Sequence, residues 1–257
     1  MGLEVIYICR HAFRMSTELH VGASPNGTLR DPPLTAHGVA QTRELAEHLG
    51  REPIERIYSS PYWRCLQTAS PVAEALKLRI LVEAGIAEWY GPVKSGWHPR
   101  PPAARVLEPD FPLVDAAAKP ESLLEPTQLG ETVPELHERA RRALELLIAS
   151  IENEPTASQP RAILLVSHAA TLIALGRALT GDPDLDIGAA TASVSRYERR
   201  PGARLGEWSC THNCDTSFLS KGAERNWDFT AYEEVLEIGP LPQGDLAPSP
   251  ARQSARL

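Results

Sequence analysis

Three short apolar runs punctuate the chain, and each leads into basic residues. Val5-Ile6-Tyr7-Ile8-Cys9 delivers Arg10 and His11, Ile57-Tyr58-Ser59-Ser60 runs into the segment from Pro61 to Arg64, and Ala162–Ser167 ends on His168. Such runs, four to six residues long and rich in Ile, Leu and Val, predict buried strands. Between them the pattern changes to that of helices. Thr35 reads as an N-cap, with Val39, Leu45, Ala46 and Leu49 on one side of the helix it opens and Gly50 at the end. Ser60 and Pro61 read as the cap and first position of a second helix, which puts Arg64 in or near its first turn, where unpaired amides favour an anion. Thr132 and Glu135 form a capping box for a third, whose face carries Leu136, Ala140, Ala143, Leu144, Leu147 and Ile151. Residues 169–179 predict a fourth. A short strand over 79–82 and a hairpin of 192–199 with 205–211 around Pro201-Gly202-Ala203 complete the pattern.

Strands alternating with helices imply an α/β fold, a three-layer α/β/α sandwich with a mostly parallel central sheet. In such a sheet the carboxyl ends of the strands open on one crevice, so Arg10, His11, Arg64 and His168 are expected to converge there despite their separation along the chain. Arg14, one helical turn beyond Arg10, is expected beside them. The domain is expected over residues 1–240. Residues 92–130, rich in proline and without a sustained period, read as an insertion over the site, and residues 241–257, with repeated Pro, Ser, Ala and Gln, as a disordered tail.

The chain has 257 residues, enough for one α/β domain with a full core. Its formal charge of −7 argues against direct nucleic-acid binding as a main purpose. No apolar run approaches the length of a membrane span, and the amino terminus lacks the layout of a signal peptide. Met1-Gly2 is not followed by a Ser or Thr where myristoylation wants one, since that position is Ile6. Four cysteines in a chain this long fit a reducing compartment, cytoplasmic or nuclear, better than a disulfide framework.

A guanidinium and an imidazole side by side at a strand end suit the binding and cleavage of a phosphate group. A cysteine-based phosphatase would need an arginine six positions after its nucleophile, and none of Cys9, Cys65, Cys210 or Cys214 has one. Cys210, His212 and Cys214 alternate like metal ligands, but on an extended strand the outer two lie about 13 Å apart, too far to share one ion. Asp182-Pro183-Asp184-Leu185-Asp186 follows a helix stop at Gly181 and reads as a turn rather than an aspartyl-phosphatase signature. No cofactor and no metal are expected.

Arg10-His11, the segment from Asp31 to Gly38 with Gln41, the run Ser59-Ser60-Pro61 to Arg64-Cys65 to Gln67-Thr68-Ala69, and Val166-Ser167-His168 together resemble the histidine phosphatase (phosphoglycerate mutase-like) superfamily. Arg10-His11-x-x-Arg14 is most similar to the branch of the Sts-type phosphatase domains and the fungal tau-55-type subunit of transcription factor TFIIIC. The mutases carry Ser and Asn where this chain has Phe13 and Arg14. The glycine that normally follows the histidine is Ala12, whose methyl is expected to crowd the backbone near the phosphate.

The resemblance implies a phosphohistidine on His11, a good nucleophile near neutral pH if its second nitrogen is held as a donor. Arg10, Arg64 and His168 are expected to bind the phosphate oxygens, with Arg14 as a fourth contact. Glu88, where the family carries its acid, is the expected proton donor, with Asp31 as the fallback, and completes the expected catalytic set with His11 and His168. The donor should have a raised pKa, although the arginines pull the other way until phosphate binds. Phe13, Trp63, Trp89, Tyr90 and Trp97 lie near these residues in sequence; about half should be core, and the rest would favour a flat, bulky substrate such as an aryl phosphate, phosphotyrosine among them. The expected substrate is a phosphorylated small molecule or phosphoprotein, with a homodimer among the compatible assemblies. Two rivals keep the fold: a weakly active or inactive interaction module like tau-55, and a phosphomutase.

Overall fold

The computed structural model describes residues 2–15, 24–93, 96–118 and 122–230. In chain order the elements are β1 (Val5–Arg10), α1 (Ala36–Leu49), β2 (Arg56–Ser59), α2 (Trp63–Leu76), β3 (Ile80–Val82), α3 (Ala104–Leu107), α4 (Val133–Glu152), β4 (Ala162–Ser167), α5 (Ala169–Thr180), β5 (Val194–Glu198) and β6 (Ser209–Asp215). The six strands form one sheet in the order β3-β2-β4-β1-β5-β6. The first four run parallel, while β5 and β6 are antiparallel to their neighbours. The fold is the expected α/β sandwich with a mixed sheet.

Alternation along each strand divides the core between two helical layers. Ile6, Ile8, Ile163 and Leu165 pack against α4 and α5 through Leu144, Leu147, Leu172 and Ile173. Tyr7, Cys9, Leu164 and Val166 face α1 and α2 through Leu45, Leu49, Leu66 and Val72. Strand β4, between β2 and β1, is buried at every position.

Thr35 caps α1 by accepting from the Gly38 amide, and the capping box of Thr132 and Glu135 opens α4 as expected. Several local readings need correction. Val39 is exposed, and the buried face of α1 instead includes Gln41 and Thr42. Helix α2 begins at Trp63 rather than Pro61, and Tyr62, at its N-cap, makes no side-chain cap bond. Residues 11–15 are not helical, and Arg14 forms an antiparallel bridge with Leu34. The hairpin pairs as expected, but β6 runs to Asp215, and Ala192 lies in a turn with φ +56°. The proline-rich segment is no mere cover: Ala104, Leu107, Phe111 and Val114 are buried in the core, and Val114 bridges Ile80. The expected tail 241–257 lies outside the described residues.

Candidate active site

Strand register alone brings the basic residues together. Arg10 pairs with Ser167 across β1 and β4, and Ser59 pairs with Val166 across β2 and β4. The next residues, His11, His168 and Ser60, therefore emerge side by side at the carboxyl edge. Their entry is pinned by the His11 amide on Ser167 O at 2.9 Å and the Ser60 amide on Val166 O at 2.9 Å. The 3-10 turn Ala84–Ile86 after β3 carries the chain to Glu88 on the same edge.

His11 is 2 % exposed, and its Nδ1 lies 2.8 Å from Ala12 O. A carbonyl only accepts, so Nδ1 carries the proton and Nε2 keeps its lone pair. Burial, then the charges of Arg64 and Arg10, hold the His11 pKa well below that of a free imidazole. The ring is neutral at pH 7. His168 lies edge-on to it with centroids 5.4 Å apart. The Nδ1 of His168 accepts from Arg64 Nη2 at 3.1 Å, which leaves Nε2–H to donate to Ser60 Oγ at 2.8 Å. Burial pulls the His168 pKa to about 4, with Arg64 adding to the effect and Glu88 opposing it.

Arg64, in the first turn of α2, is 2 % exposed and shared between two carboxylates. Its Nη1 donates to Asp31 Oδ1 at 3.0 Å and its Nη2 to Glu88 Oε2 at 2.8 Å. Burial works against its charge, but Glu88 and Asp31 outweigh that and raise its pKa. The second oxygen of Asp31 accepts the Trp63 amide at 2.6 Å. A carboxylate from a distant loop thus caps α2 in place of Ser60 and orients Arg64, and burial raises its pKa against the pull of Arg64.

Glu88 does not have the expected raised pKa. Burial pushes its carboxyl up, but His168 and Arg64 bring it well below the usual range, so it is ionised in the free site. Arg10 donates from Nη1 to Ala189 O and, at 2.6 Å, to Arg225 O. The pKa of Arg10 falls to about 10, chiefly through burial, and that of Arg14 to about 9 through burial and then Arg64. The same electrostatic contacts place Arg10, Arg14, Arg64 and Glu88 within one another's fields. The Nε–H groups of Arg10 and Arg64 are buried without an acceptor among the described residues, so both arginines keep a donor for an oxyanion. All the residues singled out as catalytic or phosphate-binding therefore meet at one edge.

His11, Glu88 and His168 each offer an atom within 4.8 Å of the others, the donor types of a divalent metal site. Three guanidinium groups surround them, however, and one already holds Glu88. At an effective dielectric of about 20, each charge about 4 Å away is worth roughly 4 kcal/mol, which disfavours a cation and favours a phosphate dianion. Cys210, His212 and Cys214 lie apart from this cluster, on β6.

The aromatic residues divide. Trp63 and Trp89 are core, Tyr90 lines a recess with Tyr62, Glu88 and His98, and Trp97 is exposed. Phe13 lies under Arg225. Prolines 99, 101 and 126 border the same recess, so part of the proline-rich segment does reach the site. Ala12 is fully buried, and its methyl packs with Leu34, Ala192 and Leu219. Ser60 and Arg225 were missed: Ser60 reads locally as a cap, and nothing near Arg225 in the sequence marks it.

The model of the histidine phosphatase superfamily (branch 1) matches residues 6–211, a span from β1 into β6. The chain belongs to the histidine phosphatase superfamily. It is 34 % identical over 268 residues to the transcription factor tau 55 kDa subunit of Saccharomyces cerevisiae, a match covering 91 % of this chain and 60 % of that protein. It is 33 % identical over 167 residues to an ecdysteroid-phosphate phosphatase of Drosophila melanogaster, covering 62 % of this chain and 21 % of the relative. This superfamily member thus spans only part of both relatives. Among solved structures, the ecdysone phosphate phosphatase from Bombix mori in complex with tungstate aligns with a TM-score of 0.63 at 18 % identity, covering 91 % of this chain and 99 % of that one. At that identity the likeness concerns the fold.

Proposed function

We propose that the protein hydrolyses phosphate monoesters without a metal, through a phosphohistidine on His11. The observation that carries this reading is the Nδ1–H of His11 held on Ala12 O, which leaves Nε2 as a buried, neutral nucleophile within a cluster of Arg10, Arg14 and Arg64. Nε2 forms the bond to phosphorus while the bond to the leaving oxygen breaks. The arginines hold the phosphate oxygens, and the arriving dianion offsets both the burial that chiefly lowers the pKa values of Arg10 and Arg14 and the smaller repulsion among the guanidinium groups.

Glu88 protonates the leaving oxygen. It is ionised in the free site, but the dianion offsets the positive charge that keeps its pKa low, so proton uptake accompanies substrate binding. Its carboxylate then takes a proton from the water that cleaves the N–P bond, releasing phosphate and restoring His11. His168, beside His11, becomes a further contact to the phosphate when its Nε2–H exchanges Ser60 Oγ for a phosphate oxygen. With Tyr62 and Tyr90 in the adjoining recess, an aryl phosphate is the favoured substrate class.

The likeness to the tau 55 kDa subunit over nearly the whole chain favours a second reading, a nuclear interaction module within a transcription assembly that retains the pocket. Hydrolysis of p-nitrophenyl phosphate in EDTA from acid to neutral pH, with His11→Ala as control, separates the two. Turnover by wild type that the variant lacks supports the hydrolase. No turnover from folded wild type leaves the module.

A further inference from the structure

The loop after β6 brings one more arginine to the mouth of the site, and both of its neighbours are anchored. The Glu224 carbonyl accepts the Thr191 amide at 2.9 Å, and Asn226 Oδ1 accepts the Ala189 amide at 2.7 Å. The backbone of Arg225, in the left-handed region at φ +48°, gives its carbonyl to Arg10 Nη1. Its guanidinium carbon stands 3.8 Å from the centroid of the Phe13 ring, and its Nη1 is 3.5 Å from Arg14 O. The ring beneath is also held, because the Phe13 amide donates to Gln41 Oε1 at 2.9 Å and its carbonyl accepts from the Thr35 amide. The guanidinium therefore has a prepared seat beside Arg10 and Arg14.

Two facts separate Arg225 from a structural arginine. It is exposed, and among the described residues no carboxylate forms an ion pair with it. The nearest acid in sequence, Glu224, is turned to His37 Nε2 at 2.5 Å and Gln41 Nε2 at 3.0 Å. A planar guanidinium stacked on a ring, with its edge toward solvent, presents paired N–H donors that match a carboxylate. Held in advance, it loses little freedom on binding.

We propose that Arg225 is a specificity-determining residue that binds a carboxylate on the organic part of the substrate, so that acidic phosphorylated molecules are preferred over neutral ones. This rests on the hydrolase reading above. The phosphate group lies with Arg10, Arg14 and Arg64, and the second anion lies over Phe13.

The test compares two phosphotyrosine peptides, one with Asp residues flanking the phosphotyrosine and one with Asn in their place, on wild type, Arg225→Gln and Arg225→Lys. The expected ratio of kcat/KM, acidic over neutral, is tenfold or more for wild type and near one for Arg225→Gln. The lysine variant should fall between, and the difference should reside in KM. Arg161→Gln, which removes an exposed charge at the amino end of β4, should keep the wild-type ratio. Equal ratios in wild type and Arg225→Gln overturn the assignment. Absence of turnover with both peptides defeats the hydrolase reading instead; calorimetric binding of the same two peptides then reads the same ratio, and equal ratios there count equally against Arg225.

Discussion

The acid limb of the stability curve tests the state of His168. Its imidazole is fully buried, and burial, with Arg64 adding to it, brings the pKa from 6.5 to about 4 against the pull of Glu88. In the unfolded chain the ring takes up a proton near pH 6.5, whereas the folded protein resists until about pH 4. Over that window the unfolded state binds more protons, so stability present above pH 6.5 is lost as the pH falls toward 4. At about 1.4 kcal/mol for each pH unit, the gap amounts to about 3 kcal/mol. His11 contributes a loss of the same sign, since burial, Arg64 and Arg10 also hold its pKa down. His168→Gln removes one of these titrations. Urea unfolding of both proteins between pH 7 and pH 4.5 should show wild type losing about 2–3 kcal/mol more than the variant, whatever the variant's starting stability. Parallel losses would refute a neutral, buried His168, and with it the charge balance assigned to the site.

Asp31→Ala removes the acceptor for the Trp63 amide and one of the two carboxylates on buried Arg64, and should cost about 3–5 kcal/mol in urea unfolding. A loss below about 1 kcal/mol would mean that Asp31 does not hold α2. Gly38→Ala puts a Cβ 2.1 Å from Phe13 O, so α1 or the segment after His11 must move. The expected result is a loss of about 1–3 kcal/mol together with a lower kcat/KM on p-nitrophenyl phosphate. Ala12→Gly empties a site in the cluster of Leu34, Ala192 and Leu219, and should lower stability by about 1 kcal/mol without raising kcat. A faster Ala12→Gly enzyme would restore the view that the methyl obstructs the reaction.

Much of this protein can be read from local sequence. The apolar runs at Val5, Ile57 and Ala162 are strands, Thr35 and the Thr132–Glu135 box open helices, and Arg10, His11 and His168 stand at strand ends, because propensity and capping act over a few residues. The motifs carry the family for the same reason, being short and in order. Tertiary structure alone decided which partners meet across the chain. Asp31 caps a helix 32 residues away, Ser60 binds His168 across 108, and Arg10 reaches the Arg225 carbonyl across 215. None of these leaves a local trace, and Ser60 in particular carries a convincing false one as a helix cap. The charge states belong to the same class. Two neutral histidines and an ionised Glu88 follow from burial and from guanidinium groups delivered by different elements, and desolvation exists only once the chain has packed.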